Sequence, residues 1–299
     1  MRINNVLPEK VAAYWYHAQP GVEEGRAAAP GERVILYLHG GGYVMGSAAK
    51  DSATASATFS ILKACSSSNF SRTLAVEYRI SGGLPLLETN CNPFPAALLD
   101  AISAYSYLLK LGFAPHDIVV YGESAGAHLA FDLVLYLCRS HIPELPIPGG
   151  LLMLSPTADW ALTHNEIPGN SMERNRPSDF VHTILNCGYS ARSLLGDLPA
   201  DTLRTSAYLA LGGLHLDEEE AKMFAKFPPT CVIAGEAEQT LDAMRTLRER
   251  LVDQGVHVRY HEYQDAFHVP VILGHIGEPW KSMACRDIAR WIEEDLYRK

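Results

Sequence analysis

No run of apolar residues in this chain approaches the ~20 that a membrane helix needs, so no membrane partner is expected. Positive charge is scarce, with 25 Lys and Arg against 34 Asp and Glu and a formal net charge of −9. Nucleic acid is therefore not an expected partner, because phosphate backbones are bound by basic surfaces. The 6 cysteines (Cys65, Cys91, Cys138, Cys187, Cys231 and Cys285) are scattered without CxxC spacing. They read as small buried hydrophobes in a reducing compartment, not as a disulfide frame. The N-terminal stretch "MRINNVLPEKVAAYWYHA" has no apolar h-region, so a secretory route is not expected either. Internal repeats and low-complexity tracts are also missing. The expectation is a soluble cytoplasmic protein.

What is present is an alternation. Short apolar, β-branched runs occur at Arg33–His39, Thr73–Arg79, Asp117–Gly122, Gly150–Pro156, Thr230–Gly235 and Val256–Tyr263. Between them lie helical patterns, such as "PAALLDAISAYSYLLKLG", which opens on proline and ends on glycine. The segment "TLDAMRTLRERLVDQG" sets Leu241, Met244, Leu247 and Leu251 on one stripe, and Ile288, Trp291, Ile292 and Leu296 form another near the C-terminus. Strands apolar on both faces, alternating with helices, predict a mostly parallel sheet covered on both sides. The 299 residues suit a single α/β domain over 1–299. One region breaks the rhythm: from about 158 to 227 there is no good strand, with a helical segment near Asp179–Cys187. A structureless loop of that length is improbable, so a small helical cap is expected, with residues 1–30 a candidate contributor.

Two stretches carry chemistry. "VVYGESAGAHLA" is a strand, then Gly122-Glu123-Ser124-Ala125-Gly126, then a helix. This is a G-x-S-x-G nucleophile elbow in the context it requires, with Ser124 held over the N-terminus of the following helix. "ILYLHGGGYVMGS" ends a strand on His39 and then places Gly40, Gly41 and Gly42 in a row. Glycine is costly in conformational entropy, so something must come close to the main chain. An acyl-transfer site needs N–H donors aimed at an oxyanion, which assigns Gly41, Gly42 and Ala125 to that task. A phosphate-binding loop would need GK[ST] and a helix opening directly afterwards, and neither is here. His39 is expected to bond the loop and take no part in proton transfer.

The base should follow the nucleophile in the chain. "YQDAFHVP" places His268 on a loop after the last strand run, and His268 is the candidate base. His257 and His261 read as the outer face of a strand; as a metal pair they lack a third ligand, so no metal is expected. For the acid, "CVIAGEAEQTLD" offers Glu236, Glu238 and Asp242 on the loop after a strand. Glu238 is preferred, and Glu236 and Asp242 stay open, since the acid need only reach the His Nδ1–H. Tyr43, Tyr78 and Phe267 are candidates for lining the pocket, with core packing the alternative for each. No cofactor is required by this chemistry.

Taken in order, "HGGGYVMGS", "YRI…PFPAALLD", "GESAGAHLA", "LLMLSP", "PPTCVIAGEAEQTLD" and "DAFH" resemble the hormone-sensitive-lipase-like branch of the α/β-hydrolase carboxylesterases. The resemblance runs from Arg33 to the C-terminus. It implies an eight-stranded, mostly parallel sheet, a Ser124–Glu238–His268 triad and an oxyanion hole at Gly41, Gly42 and Ala125. It also implies hydrolysis of a small-molecule ester through an acyl-enzyme, by a monomer or homodimer. Departures from the family pattern are Glu238 and Glu123 where Asp is usual, and Ala127 where Gly is usual. Only 38 residues precede His39, and Ser81–Asn92 interrupts the block between Ile80 and Pro93. These predict a thin cap, a remodelled rim and a bulky substrate. The alternatives are an acyltransferase or a thioester or amide hydrolase using the same residues, and, from a different class, a ligand receptor on this fold. The last would be expected to lack the base.

Overall fold

The computed structural model describes residues 3–82 and 91–297. Seven strands form one sheet in the order β1-β3-β2-β4-β5-β6-β7. They are β1 (Ala12–His17), β2 (Arg33–Leu38), β3 (Phe70–Glu77), β4 (Ile118–Glu123), β5 (Gly150–Leu154), β6 (Thr230–Gly235) and β7 (Val258–Tyr263). All neighbours pair in parallel except β1, which runs antiparallel to β3 at the edge. An eighth strand is not found among the described residues. The reason is local: "AQPGVEEGRAAAPGE", between β1 and β2, is broken by Gly and Pro and has no β-branched run, so one strand alone extends the sheet beyond β3.

Alternation along each strand feeds two cores. Val34, Leu36 and Leu38 of β2 pack on one side, with helices α2 (Ala96–Lys110) and α3 (Ala125–Ser140). Ile35 and Tyr37 point the other way, towards α1 (Ala55–Ala64) and the Trp280–Trp291 helix. α3 is buried nearly all round, because the sheet lies on one side of it and α2 and the Lys222–Lys226 turn cover the others.

Between β5 and β6 the chain leaves the sheet. It forms only short helices, including Ser171–Arg174, His182–Leu185 and Tyr189–Leu195, with no strand. Hydrogen bonds from both the Leu241–Asp253 helix and the N-terminal segment help fasten this excursion to the rest. Asp242, in the first turn of the Leu241–Asp253 helix, accepts the Ser171 N–H at 2.6 Å. From the N-terminal segment, the Asn4 amide donates to the carbonyls of Phe94 (2.7 Å) and Leu195 (3.0 Å). Of the Ser81–Asn92 interruption, residues 83–90 lie outside the described ones. Among the described residues no helix is long and apolar enough to cross a membrane.

Since β2, β4, β5, β6 and β7 are mutually parallel, their carboxyl ends share one edge of the sheet. His39, Ser124, Ser155, Glu238 and His268 all lie on loops leaving that edge, which is where open α/β sheets hold their ligands.

Candidate active site

Ser124 sits at the β4–α3 turn with φ 55° and ψ −121°, outside the regions an L-residue prefers. Two glycines make the turn possible. A Cβ on Gly122 would lie 2.1 Å from the Gly126 carbonyl oxygen, and one on Gly126 would lie 2.1 Å from the Leu38 oxygen. The strained backbone lifts Oγ off the sheet edge, to 2.8 Å from His268 Nε2. Thr157 Oγ1 stands 3.4 Å from Ser124 Oγ on its other side.

His268 is 5% exposed, and its Nδ1 lies 2.8 Å from Glu238 Oε2. Glu238 is fully buried. Its other oxygen, Oε1, accepts from Ser155 Oγ at 2.7 Å and from the Gly235 N–H at 2.6 Å. Burial raises the Glu238 carboxyl, and these donors work against that rise. For His268, burial disfavours the imidazolium, but the hydrogen bond and the charge of Glu238 outweigh it and push the ring above its ordinary value. The structure thus brings Ser124, His268 and Glu238 into one hydrogen-bonded line. Glu236 is exposed and receives the Asp265 N–H at 3.4 Å, while Asp242 is taken up by Ser171. Neither approaches His268.

The glycine loop faces this line. Gly41 and Gly42 have φ of 113° and 62°, and a Cβ on Gly41 would lie 2.1 Å from the Met45 oxygen. Gly40 must come close to the elbow, because its Cβ would meet the Glu123 oxygen at 2.9 Å and Ser124 Cβ at 3.2 Å. The loop closes on itself, with the N–H groups of Val44 and Met45 both donating to the Gly41 oxygen at 3.0 Å. Among the described residues, the N–H groups of Gly41 and Gly42 have no acceptor within the chain. Ala125, at the first position of α3, has an N–H left over by helix geometry. His39 is fully buried, its Nδ1 2.7 Å from the Gly40 oxygen and its ring stacked on Tyr78.

A cavity of about 280 Å³ opens above Ser124 and His268. The glycine loop and Met45 form one wall; Phe180, Val181, Ile184 and Leu185 of the β5–β6 excursion form another, and Val269 and Ile272 close it. Among the described residues, no lysine or arginine lines it. Glu123 reaches its edge, with burial pushing the carboxyl up to about 8. The three aromatic candidates are not among the lining residues. Tyr43 turns beneath the loop into the core, and Tyr78 stacks under His39 with its hydroxyl on the His39 carbonyl, because both rings are needed to floor a loop of glycines. Phe267 packs edge-on against Trp280, pointing away from its neighbour His268. Among the described residues no cluster of His, Cys, Asp and Glu suits a metal ion.

A model of the α/β-hydrolase fold matches residues 35–272. The chain belongs to that family. It is 30% identical over 245 residues to an acetyl-hydrolase of Streptomyces hygroscopicus, covering 82% of this chain and 70% of the relative. An esterase of Acinetobacter venetianus is 29% identical, with 81% and 68% covered. Among solved structures, an esterase of the bacterial hormone-sensitive lipase family superposes with a TM-score of 0.71 at 26% identity, covering 99% of this chain and 83% of that one. EstE5, in a crystal structure soaked with p-nitrophenyl butyrate, gives 0.70 at 26% identity, with 97% and 83% covered. These likenesses place the chain in the hormone-sensitive-lipase-like branch, among carboxylic ester hydrolases.

Ser155 is the site residue that the motifs do not flag. It follows β5 directly, so a polar residue at the carboxyl edge was the available signal. Asp179, which accepts the Gln239 N–H at 2.8 Å and so steadies the loop bearing Glu238, left no signal at a separation of 60 residues.

Proposed function

We propose that the chain hydrolyses neutral carboxylic esters through an acyl-enzyme on Ser124. The observation that carries this reading is the unbroken line from Ser124 Oγ through His268 to Glu238, in one cavity with Gly41 and Gly42, whose N–H groups have no acceptor among the described residues. His268 Nε2 takes the hydroxyl proton as Ser124 attacks the ester carbonyl. Glu238 holds the ring by Nδ1–H and stabilises the imidazolium that forms. The N–H groups of Gly41, Gly42 and Ala125 receive the oxyanion; one such donor is commonly worth about 3 kcal/mol of barrier. The alcohol leaves with the proton from His268, and water, activated by the same ring, releases the acid.

The cavity supports a substrate without charge, since its walls are apolar and hold no cation. A volume of about 280 Å³ suits a compact acyl group inside, with a bulky alcohol part projecting through the open mouth. The test is hydrolysis of p-nitrophenyl acetate, butyrate and octanoate beside esters of small acids with bulky alcohols. It is run with the native chain, with Ser124→Ala, and after treatment with a serine-directed phosphonate. Turnover lost in the variant and blocked by label on Ser124 supports the reading. Turnover that survives Ser124→Ala overturns it. Labelling of Ser124 without ester turnover turns the search to thioesters, amides or an acceptor other than water.

A further inference from the structure

Beneath the glycine loop lies a second group of buried polar side chains that the proposed chemistry does not use. Tyr43 follows Gly42 directly and holds φ 61°, an unusual value for an aromatic residue. Its ring drops into the core, 1% exposed, against the rings of His128, Trp160 and Tyr78. The hydroxyl lies 2.8 Å from His128 Nδ1. At the other end of the residue, the Tyr43 carbonyl accepts the Ser81 N–H at 2.6 Å. His128 is fully buried and stands one turn into α3, its own N–H donating to the Ser124 carbonyl at 3.2 Å. One turn further on is Asp132, 1% exposed, with Oδ2 3.5 Å from the same Nδ1 and Oδ1 unpartnered.

We propose that the Tyr43–His128 hydrogen bond, with Asp132 beside it, is a positioning link that sets the separation between the two halves of the oxyanion site. The inference rests on the reading of Ser124 as nucleophile. One half of the site is the Gly41 and Gly42 N–H pair, on a loop that closes on itself. The other is Ala125 N–H, fixed to α3 together with Ser124. The two halves come from different segments, and backbone ladder bonds do not join glycine loop to helix. Glu123 ties the Gly40 N–H at 2.7 Å to the residue before the nucleophile, and Tyr43 ties the far end of the loop to the helix, four residues beyond the nucleophile.

The ionisation states suit a neutral link. Burial pushes the Tyr43 phenol far up, so it keeps its proton and donates. Burial drives His128 down to about 3, so Nδ1 is free to accept. The remaining ring proton is then on Nε2, towards the Tyr208 carbonyl, without a full hydrogen bond there. Burial pushes the Asp132 carboxyl well up, which favours its uncharged form beside the ring. A hydrogen bond between neutral groups in a dry core keeps its length across the working pH range. A shift of the loop relative to Ser124 would move the donors off the oxyanion and leave ground-state binding intact.

The experiment is a double-mutant cycle on p-nitrophenyl butyrate with Tyr43→Phe and His128→Asn, alone and together. Each single variant is expected to lower kcat about ten-fold with KM unchanged. The pair together is expected to lose no more than either alone, since one bond is broken in all three. Binding of a trifluoromethyl ketone, which forms a tetrahedral oxyanion on Ser124, should weaken by the same factor. Phe131→Leu, in α3 but packed against Phe224 and Phe227, controls for lost stability and should keep kcat. If His128→Asn does not fold, His128→Leu, which also removes the acceptor of Tyr43, replaces it in the cycle. Single variants with kcat within about two-fold of the native chain, or losses that multiply in the double variant, overturn the inference. Failure of the underlying reading has a different signature: the ketone and the phonosphonate-type label would then not depend on Ser124 at all.

Discussion

At the scale of single residues, the decisive fact is that His268 is buried yet biased towards its charged form. Burial alone would lower the ring; the Glu238 carboxylate at 2.8 Å reverses that. Its folded value therefore lies above 6.5, and the neutral ring that the proposed mechanism uses to deprotonate Ser124 predominates only above that point. The acid limb of kcat/KM is expected above pH 6.5, with activity lost as pH falls through it. Glu238→Gln removes the charge and leaves the burial, so the same limb should move to lower pH. The rate above the limb should also fall about 10³–10⁴-fold, because the amide no longer steadies the imidazolium. A pH–rate profile of both proteins checks the pair of expectations. An unmoved limb would mean that another group, not Glu238, sets the His268 value.

At the scale of elements, the elbow and the glycine loop are a single packed object. Gly126 touches the end of β2, where a Cβ would lie 2.1 Å from the Leu38 oxygen and 2.4 Å from the His39 oxygen. Both obstacles are backbone atoms of a central strand, which cannot swing aside as a side chain could. Gly126→Ala is thus expected to cost about 3 kcal/mol in stability, the upper end for overpacking, and to slow phosphonate labelling of Ser124. Urea midpoints and labelling rates measure the two effects, and an unchanged midpoint would show that the elbow has slack. The turn within this object was legible in the sequence because it is dictated by local backbone: glycines flanking a serine after a strand admit few conformations, whereas its contact with the end of β2 is long-range. His268 was equally legible, since a loop after the last strand has one edge to reach. Other parts were hidden for physical reasons. β1 carries three large aromatics, Tyr14, Trp15 and Tyr16, at the edge of the sheet and lacks the buried apolar run that marked the other strands. Tyr43 looked like a pocket residue because its neighbours are, and only its positive φ sends the ring beneath the loop. His128 and Asp132 lay within the apolar run of α3, where i to i+4 spacing showed a shared face but not what that face met.

At the scale of the whole molecule, the polar groups buried around the site make stability a function of pH in two opposing ways. Glu123 is held neutral by burial: its carboxyl rises from 4.5 unfolded to about 8, while it accepts from the Gly40 N–H at 2.7 Å and Tyr37 at 3.0 Å. A raised carboxyl contributes stability in full below 4.5, and that contribution drains away as pH climbs through 8. His128 runs the other way. Its folded value of about 3 lies under the unfolded 6.5, so its contribution is present above 6.5 and is lost as pH falls towards 3. Each group changes stability by at most about 1.4 kcal/mol per pH unit. Between 4.5 and 6.5 the two slopes oppose, so the native chain should show a shallow optimum there and lose stability on either side. Glu123→Gln keeps an oxygen to accept from Gly40 and Tyr37 but cannot ionise. Its melting temperature should decline less from pH 6.5 to 8 than that of the native chain, where the raised Asp132 and His268 still weaken both, and both proteins weaken alike towards pH 3. Thermal unfolding followed by circular dichroism across that range distinguishes the cases, and parallel curves above pH 6.5 would mean that Glu123 is ionised in the folded protein and that the glycine loop carries a full negative charge at its base.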